Sequence, residues 1–335
     1  MPPNSDLHPS IVEDARAAIA GVAAQTPLVA SAFLGRLTGW PVYMKLETLQ
    51  PIGVFKIRGA ANALSALTSV QRAGGVVCCS TGNHGRAVAY AARRLGIQAT
   101  VCLSSLVPDV KVQAIAELGA RVKRIGSSQD EAQAEADRLV REEGLTDVPP
   151  FDHPAVIAGQ GTIALEILED CPEVQTLLVP LSGGGLIGGI ALAAKAVKPS
   201  IRVIGLSMAR GAAMQASLAA GHPVAVEELP TLADSLGGGI GLNNRWTFDL
   251  CRRLVDEVVL LDEDEIYRGM RALLLEERLV AEGGAAVGHA ALLAGKVKLG
   301  GPAAVVISGH NAPMEQVLAI GRGEVVSVGG MQVKG

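Results

Sequence analysis

The chain has 335 residues, of which 49% are hydrophobic and 3% aromatic, and it carries a formal net charge of −4. This length allows one large globular unit or two domains, while the lack of a long lysine or arginine run argues against a nucleic-acid partner. We find no apolar run of membrane-spanning length, no signal-peptide pattern and no CxxC pair among the five cysteines. The composition therefore predicts a cytoplasmic protein with reduced thiols and no membrane partner.

Short apolar runs alternate with helical patterns along most of the chain. Before residue 144 the pattern predicts helix 10–21, strand 42–46, helix 56–68, strand 75–79, helix 85–95, strand 99–103, helix 111–118, strand 121–125 and helix 128–143. Residues 144–150, which end in two prolines, mark a boundary. Beyond it the pattern predicts helix 159–168, strand 176–180, helix 187–197, strand 202–206, helix 212–220, an irregular piece at 232–243, helix 246–254, strand 257–261, helix 263–277, helix 284–294 and strand 303–307.

This alternation is typical of α/β proteins with parallel sheets. We expect two open, twisted, mostly parallel sheets flanked by helices. Residues 69–147 would form a small substrate-gating domain. Residues 1–68 and 148–335 would form a larger, discontinuous cofactor-binding domain, because the lysine described next needs the elements that follow residue 180.

Lys56 is a candidate catalytic residue because it lies between apolar Phe55 and Ile57 at the start of a predicted helix. Burial without a carboxylate partner lowers the pKa of a lysine and gives the neutral amine that attacks a carbonyl group. This is the chemistry of a Schiff-base lysine. The alternative is a structural lysine whose stem covers apolar surface while its ammonium group reaches solvent.

Two glycine-containing loops that follow predicted strands have the composition of anion sites. Residues 80–85, STGNHG, open a helix and can offer backbone N–H groups to a carboxylate, although an ordinary N-capped turn explains Ser80 alone. Residues 181–189, LSGGGLIGG, let the backbone approach a phosphate closely. Gly183, Gly185 and Gly188 also fit the GxGxxG pattern of dinucleotide sites, but the acid expected after the next strand is missing.

The last predicted strand leads into SGHN, residues 308–311. Ser308 at the carboxyl edge of a central strand can present its hydroxyl to a ring nitrogen, and a simple turn is the alternative. Glu282 and Asp234 lie near glycine-rich turns, where they could contact an active site or serve as helix caps or surface charges.

Together, VFKIRGA, STGNHG, SGGGL and SGHN resemble, in order and approximate spacing, the fold-type II pyridoxal-phosphate enzymes of the threonine/serine dehydratase and serine racemase branch. The resemblance runs from about Thr26 to Asn311 and implies a tryptophan synthase β-like fold with the cofactor between two domains. Within the branch, stretches such as STGNHGRAVAYAAR, PAVIAGQGTI and LADSLGGGIGL look most like the hydroxyectoine-utilisation dehydratases.

The resemblance assigns roles to individual residues. Lys56 would form the Schiff base with pyridoxal 5'-phosphate and Phe55 would pack by its ring, while Asn83 would donate to its phenolic oxygen and Ser308 would face its pyridine nitrogen. The phosphate would be held by Ser182, Gly183, Gly184, Gly185 and Leu186. The substrate carboxylate would be lined by Ser80, Thr81, Gly82 and His84, and Thr81 would also be catalytic, because a serine acts there in racemases.

Some positions depart from the family pattern. Val54 replaces the usual small residue before the Phe-Lys pair, and His310 replaces the second glycine of the usual SGGN. Ser207 and Ala213, on either side of Gly211, stand where the related cation site needs carboxylates. No bound metal is therefore expected.

The resemblance implies β-elimination of water from a β-hydroxy α-amino acid, either threonine- or serine-like or derived from hydroxyectoine, giving a 2-oxo acid and ammonia. Lys56 would remove the Cα proton. The alternatives are a serine racemase on the same scaffold, a nicotinamide-dependent oxidoreductase and a non-catalytic amino-acid-binding protein. Because dimers are common in the family, a homodimer is expected.

Overall fold

A computed structural model describes residues 7–80 and 82–335, apart from the side chain of Val110. In chain order its elements are α1 (Ser10–Ala18), β1 (Leu28–Ala30), α2 (Ala32–Thr38), β2 (Val42–Leu46), α3 (Lys56–Ser65), α4 (Ser69–Gly74), β3 (Val76–Cys79), α5 (Asn83–Leu95), β4 (Ala99–Leu103), α6 (Asp109–Ala116), β5 (Arg121–Arg124), α7 (Gln129–Glu143), β6 (Thr146–Asp147), α8 (Pro154–Asp170), β7 (Thr176–Pro180), α9 (Gly185–Val197), β8 (Arg202–Met208), α10 (Ala213–Ala220), α11 (Thr247–Leu254), β9 (Glu257–Leu261), α12 (Glu263–Leu275), α13 (Gly283–Leu293), β10 (Ala303–Ile307), α14 (Met314–Gly321), β11 (Val326–Val328) and β12 (Met331–Val333). Short 3-10 helices lie at Glu47–Leu49 and Asp234–Leu236.

The larger sheet has the strand order β1-β2-β10-β7-β8-β9. Its neighbours are parallel except for β1, which runs antiparallel to β2. Leu178 and Val305 point to the face covered by α12 and α13, whereas Leu177 and Ala304 point to the face covered by α8 and α9. Because both faces are covered, its central strands are continuous apolar runs.

The smaller sheet has the order β5-β4-β3-β6 and is parallel throughout. Val76 and Val101 face a cluster shared with α3 and α5, and Val77 and Cys102 face α7. Both predicted sheets are therefore confirmed. β1 and β2 join the larger sheet and the smaller sheet lies within residues 69–147, while the division into two domains at these boundaries stays a prediction.

Several predicted boundaries were wrong. Helix 159–168 is part of α8, which begins at Pro154 because the imidazole of His153 accepts from the backbone N–H of Ala155 and proline is well tolerated in the first helical turn. The segment 144–150 contains β6, and its role as a domain boundary stays a prediction. Helix 56–68 ends at Ser65, since Thr68 and Gln71 form a capping box that starts α4. The elements β1, α2, α4, β6, α14, β11 and β12 were not predicted, because such short elements show little periodicity.

The topology brings the predicted loops together. β2, β10 and β7 are neighbours, and their carboxyl ends lead to the Lys56 segment, to Ser308 and to the glycine loop at 182–185. In the smaller sheet the neighbours β3 and β6 lead to residues 80–83 and 148–153. Ligands of open parallel sheets bind at such carboxyl ends.

Candidate active site

Lys56 is the first residue of α3 and is half-buried. Its Nζ donates to the backbone oxygen of Pro150 at 2.8 Å and lies 5.3 Å from the centroid of the Phe55 ring. Burial lowers the pKa of Lys56 from 10.5 to about 8, against the opposing attraction of Glu282. A substantial share of the amine is thus neutral at mildly alkaline pH, as a Schiff-base lysine requires.

Two backbone hydrogen bonds join residues 53–55, just before Lys56, to the residues that follow β10. The backbone N–H of Phe55 donates to the oxygen of Ser308 at 3.0 Å, and that of His310 donates to Gly53 at 3.1 Å. Ser308 is buried, whereas the imidazole of His310 is exposed and covers Gly53, where φ is +72°. The structure therefore places Lys56, Phe55 and Ser308 side by side.

Below Lys56, four buried charged side chains anchor α3. The guanidinium of Arg58 donates to both oxygens of Glu47 at 2.8 Å and to the two oxygens of Glu166 at 2.5 and 2.8 Å. Lys45 lies 2.6 Å from Glu166. Two cations and two anions balance, so the network ties α3 to β2 and α8 without a net buried charge.

The glycine loop lies between β7 and α9. Gly184 has φ +87°, and a Cβ on Gly183 would come within 2.4 Å of the Phe151 ring. α9 has no side-chain cap, so its first N–H groups are available to a phosphate. Ser182 is half-buried in this loop, and Leu186 is buried in the core beneath it.

The second loop precedes α5. The hydroxyl of Ser80 accepts from the backbone N–H of Gly82 at 3.4 Å, and Gly82 precedes the first residue of α5 without a side-chain cap. His84 is buried, and its Nε2 donates to the oxygen of Val148 at 2.7 Å. Burial, with Lys56 adding to it, lowers the pKa of His84 to about 3, so the imidazole is neutral. Thr81 lies outside the described residues, and its predicted role stays a prediction.

Asn83 is the first residue of α5. Its Nδ2 donates to the two oxygens of Glu282 at 3.0 and 3.1 Å, and its Oδ1 accepts from Nδ2 of Asn311 at 2.5 Å. Glu282 is buried and does not cap α13, although it occupies the N-cap position. The sequence left Glu282 and Asp234 open between active-site contacts, helix caps and surface charges. Glu282 is neither a cap nor a surface charge, whereas Asp234 is exposed.

Residues 148–153 connect these parts, a role that the sequence did not reveal. Val148 accepts from His84, Pro150 accepts from Lys56, and Phe151 packs on the glycine loop. The Asp152 carboxylate accepts from the backbone N–H groups of Arg245, Trp246 and Thr247 at 2.7 to 2.9 Å. The only sequence signal was an acid and a histidine just before an apolar helix.

In the described ranges 7–80 and 82–335, we find no group of three or more His, Cys, Asp or Glu side chains placed to hold a metal ion. Ser207 is buried in β8, with its hydroxyl 3.4 Å from the sulfur of Met208. The same described ranges contain no helix of the length and apolar character needed to cross a membrane.

A family model described as pyridoxal-phosphate dependent enzyme matches residues 19–309 of the chain. The chain belongs to this family. A Sinorhizobium fredii protein named "Putative threonine dehydratase" is 55% identical over 311 residues, which cover 92% of this chain and 94% of the relative. An L-threonine ammonia-lyase of Thermotoga maritima is 41% identical over 306 residues, which cover 91% of this chain and 76% of the relative.

Among solved structures, maize serine racemase matches this pyridoxal-phosphate-dependent enzyme with a TM-score of 0.88 and 33% identity, covering 93% and 95% of the two chains. The resemblance to fold-type II enzymes, the pyridoxal-phosphate cofactor and the assignment as a lyase of threonine dehydratase type are confirmed. The residues present fit the cofactor, because an amine with a lowered pKa contacts Pro150 and an uncapped glycine loop contacts the adjacent Phe151.

Proposed function

We propose that the protein converts a β-hydroxy α-amino acid of the threonine or serine type into a 2-oxo acid and ammonia. The observation that carries this proposal is the lowered pKa of the Lys56 amine, which follows a residue, Phe55, whose backbone N–H donates to the Ser308 oxygen. The substrate loses its α-proton and its β-hydroxyl, and water then hydrolyses the released enamine. The water lost in the first step is consumed in the second.

Bound pyridoxal phosphate supplies the electron sink for bond cleavage at Cα. In the proposed roles, Lys56 holds the cofactor and then accepts the Cα proton, while Phe55 packs by the ring and Asn83 donates to the phenolic oxygen. Ser308 offers the pyridine nitrogen a neutral hydroxyl instead of a carboxylate. With the cofactor bound, this neutral partner would disfavour protonation of the nitrogen and would favour loss of the β-hydroxyl over side reactions.

The anionic groups of cofactor and substrate have separate places in this proposal. The N–H groups of residues 182–186 bind the phosphate, where the dipole of α9 adds about 1–2 kcal/mol. The substrate carboxylate binds at residues 80–84 before and at the start of α5. Because the imidazole of His84 already donates to Val148, this residue would contribute its backbone and not a charge.

The exact amino acid is a further part of the proposal. The Thermotoga relative is named an L-threonine ammonia-lyase, which favours threonine. A hydroxylated diaminobutyrate derived from hydroxyectoine is the second substrate; hydroxyectoine itself is a cyclic amidine and needs prior ring opening to free an α-amine. Serine racemisation is a second candidate activity, favoured by the likeness to maize serine racemase.

The test combines one variant with a substrate panel. Lys56→Ala should abolish the visible absorption of the lysine-bound cofactor and lower ammonia release by at least about 100-fold, since both the covalent link and the base are lost. Lys298→Ala, which changes an exposed lysine, is the control. The wild type should release ammonia and a 2-oxo acid from threonine, serine or the hydroxylated diaminobutyrate. Full activity of Lys56→Ala, or a yellow wild type that acts on none of them, would contradict the proposal.

We also propose a cytoplasmic homodimer. Support comes from large apolar side chains along residues 29–40, where Val29 of β1, Leu37 of α2 and Trp40 after α2 are each more than 40% exposed. Isolated apolar side chains are common on protein surfaces, but three on one segment favour a contact surface.

A further inference from the structure

A chain of four polar side chains crosses from α5 to the elements of the larger sheet. Arg86 Nη1 donates to Oδ1 of Asn311, Asn311 Nδ2 donates to Oδ1 of Asn83, and Asn83 Nδ2 donates to Glu282. Asn83 and Arg86 lie three residues apart on α5, Asn311 follows β10, and Glu282 precedes α13. Every bond in this chain runs in the same direction.

The two ends of the chain determine the orientation of both amides. A guanidinium can only donate hydrogen bonds, and an ionised carboxylate can only accept them. Asn311 must therefore turn its oxygen to Arg86, and Asn83 must turn its nitrogen to Glu282. Reversal of either amide would set donor against donor or acceptor against acceptor, so the usual ambiguity of an amide orientation is removed.

One N–H of Asn83 has no partner among residues 7–80 and 82–335 in this arrangement. Seen from the amide nitrogen, the two oxygens of one carboxylate are separated by a much smaller angle than the two N–H bonds of that nitrogen. A single hydrogen thus serves both contacts between Asn83 and Glu282, at 3.0 and 3.1 Å. The second hydrogen of Nδ2 remains for another acceptor.

Glu282 and Arg86 occupy costly positions for residues that would only stabilise the fold. Glu282 is 3% exposed, and burial raises the pKa of its carboxyl group, with bonds from Asn83, Ser235 and Asn311 acting in the opposite direction. The Nε of Arg86 is buried without a hydrogen-bond partner among the described residues, and burial lowers the pKa of this guanidinium. An unsatisfied buried donor costs free energy that an exposed arginine would avoid.

We propose that Glu282 and Arg86 are positioning residues that hold the Asn83 amide so that it presents an N–H, and never its oxygen, to the phenolic oxygen of the cofactor. This inference rests on the proposed role of Asn83. It deepens that role, because the acidic and basic ends of the chain decide whether the asparagine donates or accepts. In this inference Glu282 acts on the cofactor through Asn83.

A double-mutant cycle tests whether Glu282 acts through Asn83. The variants are Glu282→Gln, Asn83→Ala and their combination, with Glu276→Gln at an exposed position as the control. Each apoprotein is titrated with pyridoxal 5'-phosphate alone, and the dissociation constant and the visible spectrum of the bound cofactor are recorded. No substrate is needed, so a protein that binds the cofactor but turns over no β-hydroxy amino acid refutes the proposed function and leaves this test intact.

We expect Glu282→Gln to weaken cofactor binding by about 10- to 100-fold, because a neutral amide that can also donate replaces a charged group that only accepts. It should shift the spectrum in the same direction as Asn83→Ala. The double variant should bind the cofactor within about twofold of Asn83→Ala alone, because two residues acting as one unit are not additive. An unchanged dissociation constant and spectrum, or effects that multiply, would overturn the inference.

A second variant covers the case in which Glu282→Gln does not fold. Arg86→Gln removes the obligatory donor from the other end of the chain and should cause a smaller spectral shift in the same direction. Its effect should also disappear in the Asn83→Ala background. An Arg86→Gln effect that is equal in both backgrounds would refute the inference.

Discussion

At the scale of single residues, the proposed chemistry depends on the absence, among the described residues, of a carboxylate hydrogen-bonded to the Lys56 amine. Its Nζ has a backbone oxygen as its hydrogen-bond partner, and burial outweighs the attraction of Glu282. The nearby His84 is neutral and donates to Val148. The amine is therefore kept near the point where it can lose its proton, which a direct ion pair would prevent.

This balance predicts the pH dependence of cofactor capture. The neutral amine is the nucleophile, so the rate at which the apoprotein captures pyridoxal 5'-phosphate should rise with pH and level off above about 8. The same pKa makes the native protein bind fewer protons than the unfolded chain between about 8 and 10.5, so its stability should increase across this window. Stopped-flow absorbance measures the rate, and a rise that continues to pH 10.5 would contradict the lowered pKa.

At the scale of elements, α3 depends on the ion network below it. Arg58 lies two residues after Lys56 and is fully buried between Glu47 of the 3-10 helix and Glu166 of α8. Gly59 and Gly159 let α3 and α8 approach closely, since a Cβ on Gly159 would come within 2.4 Å of the Arg58 backbone oxygen. The network and this close packing fix the helix that begins with Lys56.

Arg58→Ala should lower the free energy of unfolding by about 3–5 kcal/mol, because it leaves two buried carboxylates without their main partner. Urea unfolding measures this loss. The control is Arg16→Ala, which breaks an ion pair with Glu169 whose side chains are 39% and 48% exposed and should cost less than about 1 kcal/mol. A similar cost for the two variants would show that the network does not anchor α3.

At the scale of the whole molecule, the candidate active site lies where the carboxyl ends of the two sheets face each other. The Arg86–Asn311 and Asn83–Glu282 contacts join α5 to the elements that follow β10 and precede α13. Residues 148–153 run from β6 to α8 and contribute to each part of the site. A change in how the two sheets face each other would therefore change the positions of Lys56, Asn83 and the glycine loop relative to one another.

The proposed homodimer gives a prediction at the same scale. Sedimentation velocity should show twice the chain mass for the wild type, and Trp40→Asp should weaken the association, because a charge would replace apolar surface at the expected contact. Val70→Asp, at an 80% exposed position on α4, is the control and should leave the mass unchanged. A monomeric wild type would refute the homodimer, and a dimeric Trp40→Asp would place the contact elsewhere.

The sequence was sufficient for the two sheets, because apolar strands and amphipathic helices are local patterns that recur every few residues. It also singled out Lys56, the glycine loop and Ser308, since a lysine between apolar residues and a run of glycines are unusual in themselves. It misplaced the start of α8 and did not reveal Phe151 or Asp152, because a proline and an acid before a helix are ordinary features.

The amino-acid sequence by itself determined the α/β architecture and the cofactor chemistry, since these follow from periodicity and from short motifs in a fixed order. Only the tertiary structure decided that Glu282 and Arg86 close a polarised hydrogen-bond chain through Asn83. Those residues are about 200 positions apart, and no local pattern records which polar groups will meet in the interior. The physical reason is that orientation and burial arise from packing, which brings together the strand ends of two separate sheets.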